Sequence, residues 1–226
     1  FPAQPAGNSS FHPSTPTTVL TRPQVHQGLR GTAASRQHMV QRMQHTHGID
    51  APPVLAAMAS VERHGFVDSA LAGQAYEDTS LPIGFGQTIS KPQVVARMLQ
   101  LLLQVAMPAT AKVLEIGTGC GYQAAVLAQL FSKVYSIERI SGLHHKAQQH
   151  LLALHAKGAK VGGIHLILGD GMLGYKPAAP YHAIIAAAGG DELPPAWLEQ
   201  LALGGRLIAP IVQKQDGKQA LVVMDK

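Results

Sequence analysis

Ten residues, Val113-Leu-Glu-Ile-Gly-Thr-Gly-Cys-Gly-Tyr122, constrain this chain more than any others. An aliphatic, strand-like run passes through three glycines at alternate positions straight into an Ala- and Leu-rich segment. So sharp a turn from strand to helix needs residues without a Cβ, which reach left-handed backbone angles and let a ligand lie against the main chain. The unit is the first half of a βαβ crossover and predicts a parallel sheet covered by helices.

The flanking pattern repeats that rhythm. Apolar runs predict strands over 112–116, 134–137, 165–168, 183–187 and 206–211, with helices over 122–131, 141 to about 157, and 197–203. Upstream, a glycine-rich turn at 81–86 leads through Gln87-Thr-Ile-Ser90 into a helix from Pro92 to about residue 105, where proline suits the first turn. Earlier still, a helix is expected from about Ala33 through Met39, Val40 and Met43 to Gly48. A second is expected from Asp50, a good N-cap followed by prolines, burying Val54, Leu55, Met58 and Val61. Residues 1–32 carry Pro2, Pro5, Pro13, Pro16 and Pro23 among Ser, Thr, Gly and Gln without an apolar period, and read as a flexible extension. One domain over 33–226 follows, with a helical entry module at 33–80 and a cofactor-binding and catalytic core at 81–226.

The net charge of +5 raises the question of nucleic acid, but its location answers otherwise. No acidic residue precedes Asp50, and Arg22, Arg30, Arg36 and Arg42 all lie in that stretch, so the remainder is close to neutral. Neither a nucleic-acid partner nor a membrane is expected, since no apolar run approaches the roughly 20 residues of a bilayer span. The single Cys120 cannot form an internal disulfide, which favours a cytoplasmic setting. Twelve histidines invite a metal reading, yet His45-x-His47 and His144-His145 lack a Cys or carboxylate at ligand spacing, and no metal is expected.

The glycine turn implies a nucleotide-like cofactor, because Glu138 closes the next strand about 20 residues on, where a carboxylate can take two ribose hydroxyls. A dinucleotide fingerprint would place its third glycine at position 122, which is Tyr122. Glu115 would repel a pyrophosphate and suits a cationic ligand, such as the amino and sulfonium groups of S-adenosylmethionine. Asp170-Gly171, after the third strand, can receive the adenine amino group or serve as an ordinary turn. Cys120, in the turn, reads as a small space-filler beside the cofactor rather than a nucleophile. Ser90 with His64 does not read as a hydrolase, because no Gly-x-Ser-x-Gly elbow surrounds the serine.

Several segments resemble the protein-L-isoaspartate (D-aspartate) O-methyltransferase family: Arg63-His-Gly-Phe-Val67, Ala75-Tyr-Glu-Asp78, Leu81-Pro-Ile-Gly-Phe-Gly-Gln-Thr-Ile-Ser90, 113–126 and Gly204-Gly-Arg-Leu207. The resemblance covers about 190 residues from Ala33 onward, and its specific part is Gly86-Gln-Thr-Ile-Ser90. It implies a Rossmann-like S-adenosylmethionine-dependent methyltransferase fold, α/β, with a mostly parallel sheet, helices on both faces and a small N-terminal helical module. It implies Ser90 and Thr88 as the catalytic pair, with Thr88 and Ile89 flanking the methyl group. The cofactor set becomes Ile89, Glu115, Gly117, Thr118, Gly119, Glu138, Arg139, Asp170 and Gly171. The implied reaction methylates the α-carboxylate of L-isoaspartyl residues in damaged proteins and peptides, by a monomer.

The residues agree with that chemistry, since a carboxylate is already a nucleophile near neutral pH and needs alignment rather than a base. Three departures from the family pattern stand out. His182 occupies a position usually held by Asp, Ala187 one commonly held by Thr, and the chain ends at Lys226, where the family continues into final strands, so one wall of the site is expected to be incomplete. Two rival readings share the cofactor fold: an RNA methyltransferase, which lacks a Pro-Pro-Tyr-type base clamp here, and a catalytically silent S-adenosylmethionine-binding partner, which His182 and the missing Thr hydroxyl at 187 would suit.

Overall fold

In a computed structural model, the structure describes residues 25–213 and 217–226, with side chains from Thr32 onward. Most of the expected extension at 1–32 therefore lies outside the described residues. Its last part does not: helix α1 spans Val25–His45 and begins eight residues before the expected start at Ala33.

Helix α2 (Pro52–Ser60) follows, and Asp50 is not its cap. The N-cap is Ala51, with no side-chain hydrogen bond. Pro52 and Pro53 remove two of the amides that a cap would serve. Gln100 holds the chain just before the helix, its Oε1 accepting from the amides of Asp50 at 2.8 Å and Ala51 at 3.2 Å. Val54, Ala57 and Met58 are buried from α2, and Met39 and Met43 from α1. Leu55 is half-buried.

Where a glycine-rich turn was expected, the chain forms a hairpin of β1 (Leu81–Gly84) and β2 (Gln87–Ile89). At its tip Phe85 has left-handed backbone, φ 54°. Its ring lies against Gly142, where a Cβ would come within 2.1 Å of the Phe85 Cζ. Helix α3 (Pro92–Leu102) then presents Val95, Met98, Leu99 and Leu102, an i, i+3, i+4, i+7 stripe, to the core. Leu99 is fully buried, so Leu99→Ala carries the usual core cost of about 2 to 5 kcal/mol.

The sheet is built from β3 (Lys112–Ile116), β4 (Lys133–Glu138), β5 (Ile164–Leu168), β6 (Tyr181–Ala186), β7 (Leu201–Val212) and β8 (Gln219–Asp225), ordered β5-β4-β3-β6-β7-β8. All neighbours are parallel except β7 and β8. Helices α4 (Tyr122–Leu130) and α5 (Ser141–Ala156) are the crossovers, and α6 (Pro195–Gln200) precedes β7. Alternation along β3 divides the core. Val113 packs with α1 to α5, whereas Leu114 and Ile116 pack with Trp197 and Leu201 on the other face. Helix α4 is buried nearly all round, which its uniformly apolar sequence requires. The hairpin is tied to α5 a second time by Lys146 Nζ, which donates to the Ile83 carbonyl at 2.9 Å.

The antiparallel β8 was not expected from the sequence. It completes the edge of the sheet, with Arg206 gripping Asp225 through Nε–Oδ1 and Nη2–Oδ2 contacts of 2.6 and 2.7 Å. Among the described residues, no helix is long and apolar enough to cross a membrane.

Candidate active site

The carboxyl ends of β3, β4, β5 and β6 face the β1–β2 hairpin across a cavity of about 770 Å³. In a doubly wound sheet this is where a ligand is received, at the point where strand order reverses on either side of β3. Every expected site residue except Glu115 lines that cavity: Thr88, Ile89 and Ser90 from the hairpin side, Gly117, Thr118 and Gly119 from the turn, and Glu138, Arg139, Asp170 and Gly171 from the strand ends.

The turn is shaped by its backbone. Gly117 and Gly119 have φ of 88° and 56°, and the amides of Gly117 and Thr118 both donate to the Ile137 carbonyl, at 2.9 and 3.1 Å. A Cβ at Gly119 would come within 3.2 Å of Ile83 Cδ1, so the hairpin and the turn are already in close apposition. Glu138, 5% exposed, braces the same turn. Its Oε2 accepts from the Gly119 amide at 2.8 Å and its Oε1 from the Ile140 amide at 2.9 Å. Each carboxylate oxygen keeps lone-pair capacity for a ligand hydroxyl.

Glu115 is not on the cavity wall. It shares a face of β3 with Val113, beneath the turn, and is fully buried. Ser136 Oγ donates to its Oε2 at 2.5 Å, and Thr118 Oγ1 lies 2.6 Å from the same Ser136 Oγ. Burial pushes the Glu115 carboxyl up to about 8, with Ser136 and Gln123 opposing the shift and Glu138 adding to it. Gln123 is near enough to act on that carboxyl, yet neither its Nε2 nor Glu115 Oε1 has a hydrogen bond of normal geometry.

Asp170 caps the 3-10 turn Gly171–Leu173, its Oδ1 accepting from the Met172 amide at 2.9 Å. Gly171 is fixed from behind by Trp197, whose indole Nε1 donates to the Gly171 carbonyl at 2.7 Å. Cys120 lines the cavity but is buried, its thiol pushed up to about 11 by desolvation, which is the opposite of an activated nucleophile. His64 does not line the cavity, and its Nδ1 is engaged with the Tyr76 hydroxyl at 2.7 Å.

The departures fall unevenly. His182 sits at the start of β6, the far end from the cavity, where its Nδ1 accepts from the Lys112 amide at 3.1 Å. Ala187, by contrast, lines the cavity together with Ala188 and Gly189. The expected incomplete wall is supplied in part by Gln219, the first residue of β8. Gln123, Gln219 and the buried Arg63, whose Nη2 donates to the Ser90 carbonyl at 2.8 Å, were not identified as site residues from the sequence. Gln123 was legible in principle, two positions past Gly121 on the first turn of α4, but Arg63 and Gln219 carry no local signal.

The sequence model of the protein-L-isoaspartate(D-aspartate) O-methyltransferase family matches residues 34–226. A protein-L-isoaspartate O-methyltransferase of Methylibium petroleiphilum is 50% identical, over 99% of this chain and 84% of its own. One of Leptothrix cholodnii is 57% identical, over 84% of this chain and 66% of its own. Among solved structures, a Plasmodium falciparum protein described as a putative protein-L-isoaspartate O-methyltransferase, in complex with S-adenosyl-L-homocysteine, superposes with a TM-score of 0.73. It is 25% identical, over 84% of this chain and 89% of that one.

Proposed function

The chain belongs to the protein-L-isoaspartate(D-aspartate) O-methyltransferase family, and on that premise we propose that it repairs proteins by methylating the α-carboxylate of L-isoaspartyl residues, with S-adenosylmethionine as methyl donor. One observation carries the reading. The Thr88-Ile89-Ser90 segment and the Glu138-braced glycine turn, identified separately in the sequence, line the same cavity.

The donor supplies an electrophilic methyl group on a sulfonium and leaves as a neutral thioether. The chain's own residues bind and align. Gly117 and Gly119 admit the donor against the backbone, Glu138 offers its remaining lone pairs to ribose hydroxyls, and Asp170 with Gly171 borders the adenine end. Arg139 and Ile89 complete that lining. Ser90, with Thr88 beside it, hydrogen-bonds the substrate carboxylate so that one oxygen faces the methyl carbon in line with sulfur. The carboxylate gives up its charge as the C–O bond forms and the C–S bond breaks, and no proton moves. Attack of the following backbone nitrogen on the ester carbonyl breaks its C–O bond and releases methanol, and water reopens the resulting succinimide partly to normal aspartate.

Paired peptides test the reading. An L-isoaspartyl peptide is expected to be methylated while its aspartyl twin and RNA are not. Equal methylation of both peptides overturns the repair assignment. Intact donor binding with no transfer to either leaves a silent binding protein.

A further inference from the structure

Arg63 is fully buried, and nothing in the reaction above uses it. Its Nε donates to the Ala75 carbonyl at 2.7 Å, its Nη2 to the Ser90 carbonyl at 2.8 Å, and its guanidinium lies 4.8 Å from the centre of the Tyr122 ring. Its Nη1 is buried with no partner. The ion pairs among the described residues join Arg36, Arg42, His47, Lys157 and Arg206 to acids, and none includes Arg63. Burial lowers its pKa, but a guanidinium remains protonated.

A buried charge without a counter-charge is costly, and two carbonyl dipoles and a ring face offset that cost only in part. The position of the charge suggests what completes it. Ser90, Tyr122 and Cys120 all line the cavity. Arg63 stands directly behind them, bonded to the first and stacked on the second, in surroundings where a charge is weakly screened.

We propose that Arg63 is the residue that makes the acceptor subsite at Ser90 selective for a carboxylate, by holding an otherwise uncompensated positive charge behind the cavity wall. This rests on the function proposed above and adds a specificity determinant to it. The guanidinium does not touch the reacting atoms. It holds the Ser90 carbonyl back, which fixes how Ser90 is presented, and it attracts the anionic acceptor while giving no such attraction to a neutral amide of the same shape.

The test is a binding comparison on protein saturated with S-adenosylhomocysteine, so that no turnover occurs. The two ligands are an L-isoaspartyl peptide with a free α-carboxylate and the same peptide with an α-carboxamide. Wild-type protein is expected to prefer the carboxylate about tenfold or more, and that preference is expected to survive a rise from about 50 to about 500 mM salt, because a buried charge escapes screening. Arg63→Met should bring the ratio toward one with S-adenosylhomocysteine affinity within about twofold, and Arg63→Lys should restore part of it. If Arg63→Met does not fold, the salt series on wild-type protein still decides. A preference that collapses with salt belongs to exposed cations at the rim, Lys91 or Arg139, and overturns the proposal. So does an unchanged ratio in folded Arg63→Met. If wild-type protein methylates no isoaspartyl peptide, the function itself fails, which is a separate outcome from methylation without an Arg63 effect.

Discussion

The Gly119 amide donates to Oε2 of Glu138 at 2.8 Å, so a carboxylate that lines the cavity is also the brace of the glycine turn. Removing it withdraws the support of the turn together with the contact proposed for the ribose hydroxyls. Glu138→Ala is expected to weaken S-adenosylmethionine binding by about 1.5 to 3 kcal/mol, roughly 10- to 150-fold in Kd, as read by calorimetric titration. An affinity within twofold of wild type would take Glu138 out of the cofactor site.

Ser90→Ala is expected to leave donor affinity intact and to lower turnover on an L-isoaspartyl peptide by roughly 10- to 1000-fold, about 1.4 to 4 kcal/mol of transition-state alignment. Kinetics with both substrates varied separates the two effects. An unchanged kcat would remove the Ser90 hydroxyl from the mechanism.

Glu115 makes a prediction about pH. With its carboxyl pushed up to about 8 from an ordinary value of 4.5, the folded chain keeps a proton through the interval between those values that the unfolded chain has released. The folded state binds more protons there, so stability falls as pH rises through that window, by at most about 1.4 kcal/mol per unit. Glu115→Gln cannot ionise and is expected to flatten the slope in urea denaturations run from about pH 5 to about pH 8. Parallel slopes in the two proteins would mean that Glu115 is already ionised in the fold.

The first buried side chain among the described residues is Met39. We therefore expect a chain starting near Ala33 to retain cooperative unfolding and methyl transfer. A melting temperature lower by more than about 5 °C would show that the first turns of α1 are docked.

Strands β3 to β6 and their crossovers were legible because each is an apolar run of the right length between turn residues, and period two even separates Leu114 from Glu115 in direction, whereas β7 starts at Leu201, inside the helix expected over 197–203. That same period placed Glu115 beneath the turn, and only the attraction of a carboxylate for a cationic ligand argued otherwise. The β1–β2 hairpin was obscured by Pro82 and by the glycines around Phe85, which read as an open turn. Strand β8 was obscured by its position at the end of the chain and its partly exposed faces. Arg63 could not be read at all as a site residue, since its partners are the main-chain carbonyls of Ala75 and Ser90, which have no sequence signature. Asp50 was misplaced because Pro52 and Pro53 leave no amide at the first two helical positions for a cap to serve, and the Val54 amide already donates to the Ala51 carbonyl at 3.0 Å.

The contact of Phe85 with Gly142 seats the tip of the hairpin on α5. Because the ring occupies the space a Cβ would need, a side chain at position 142 would displace the exposed Phe85 ring from its seat on α5. Neither Phe85 nor Gly142 belongs to the cavity wall. The tip of the hairpin thus has a seat outside the wall, and position 142 is where that seat can be altered while every residue lining the cavity is left in place.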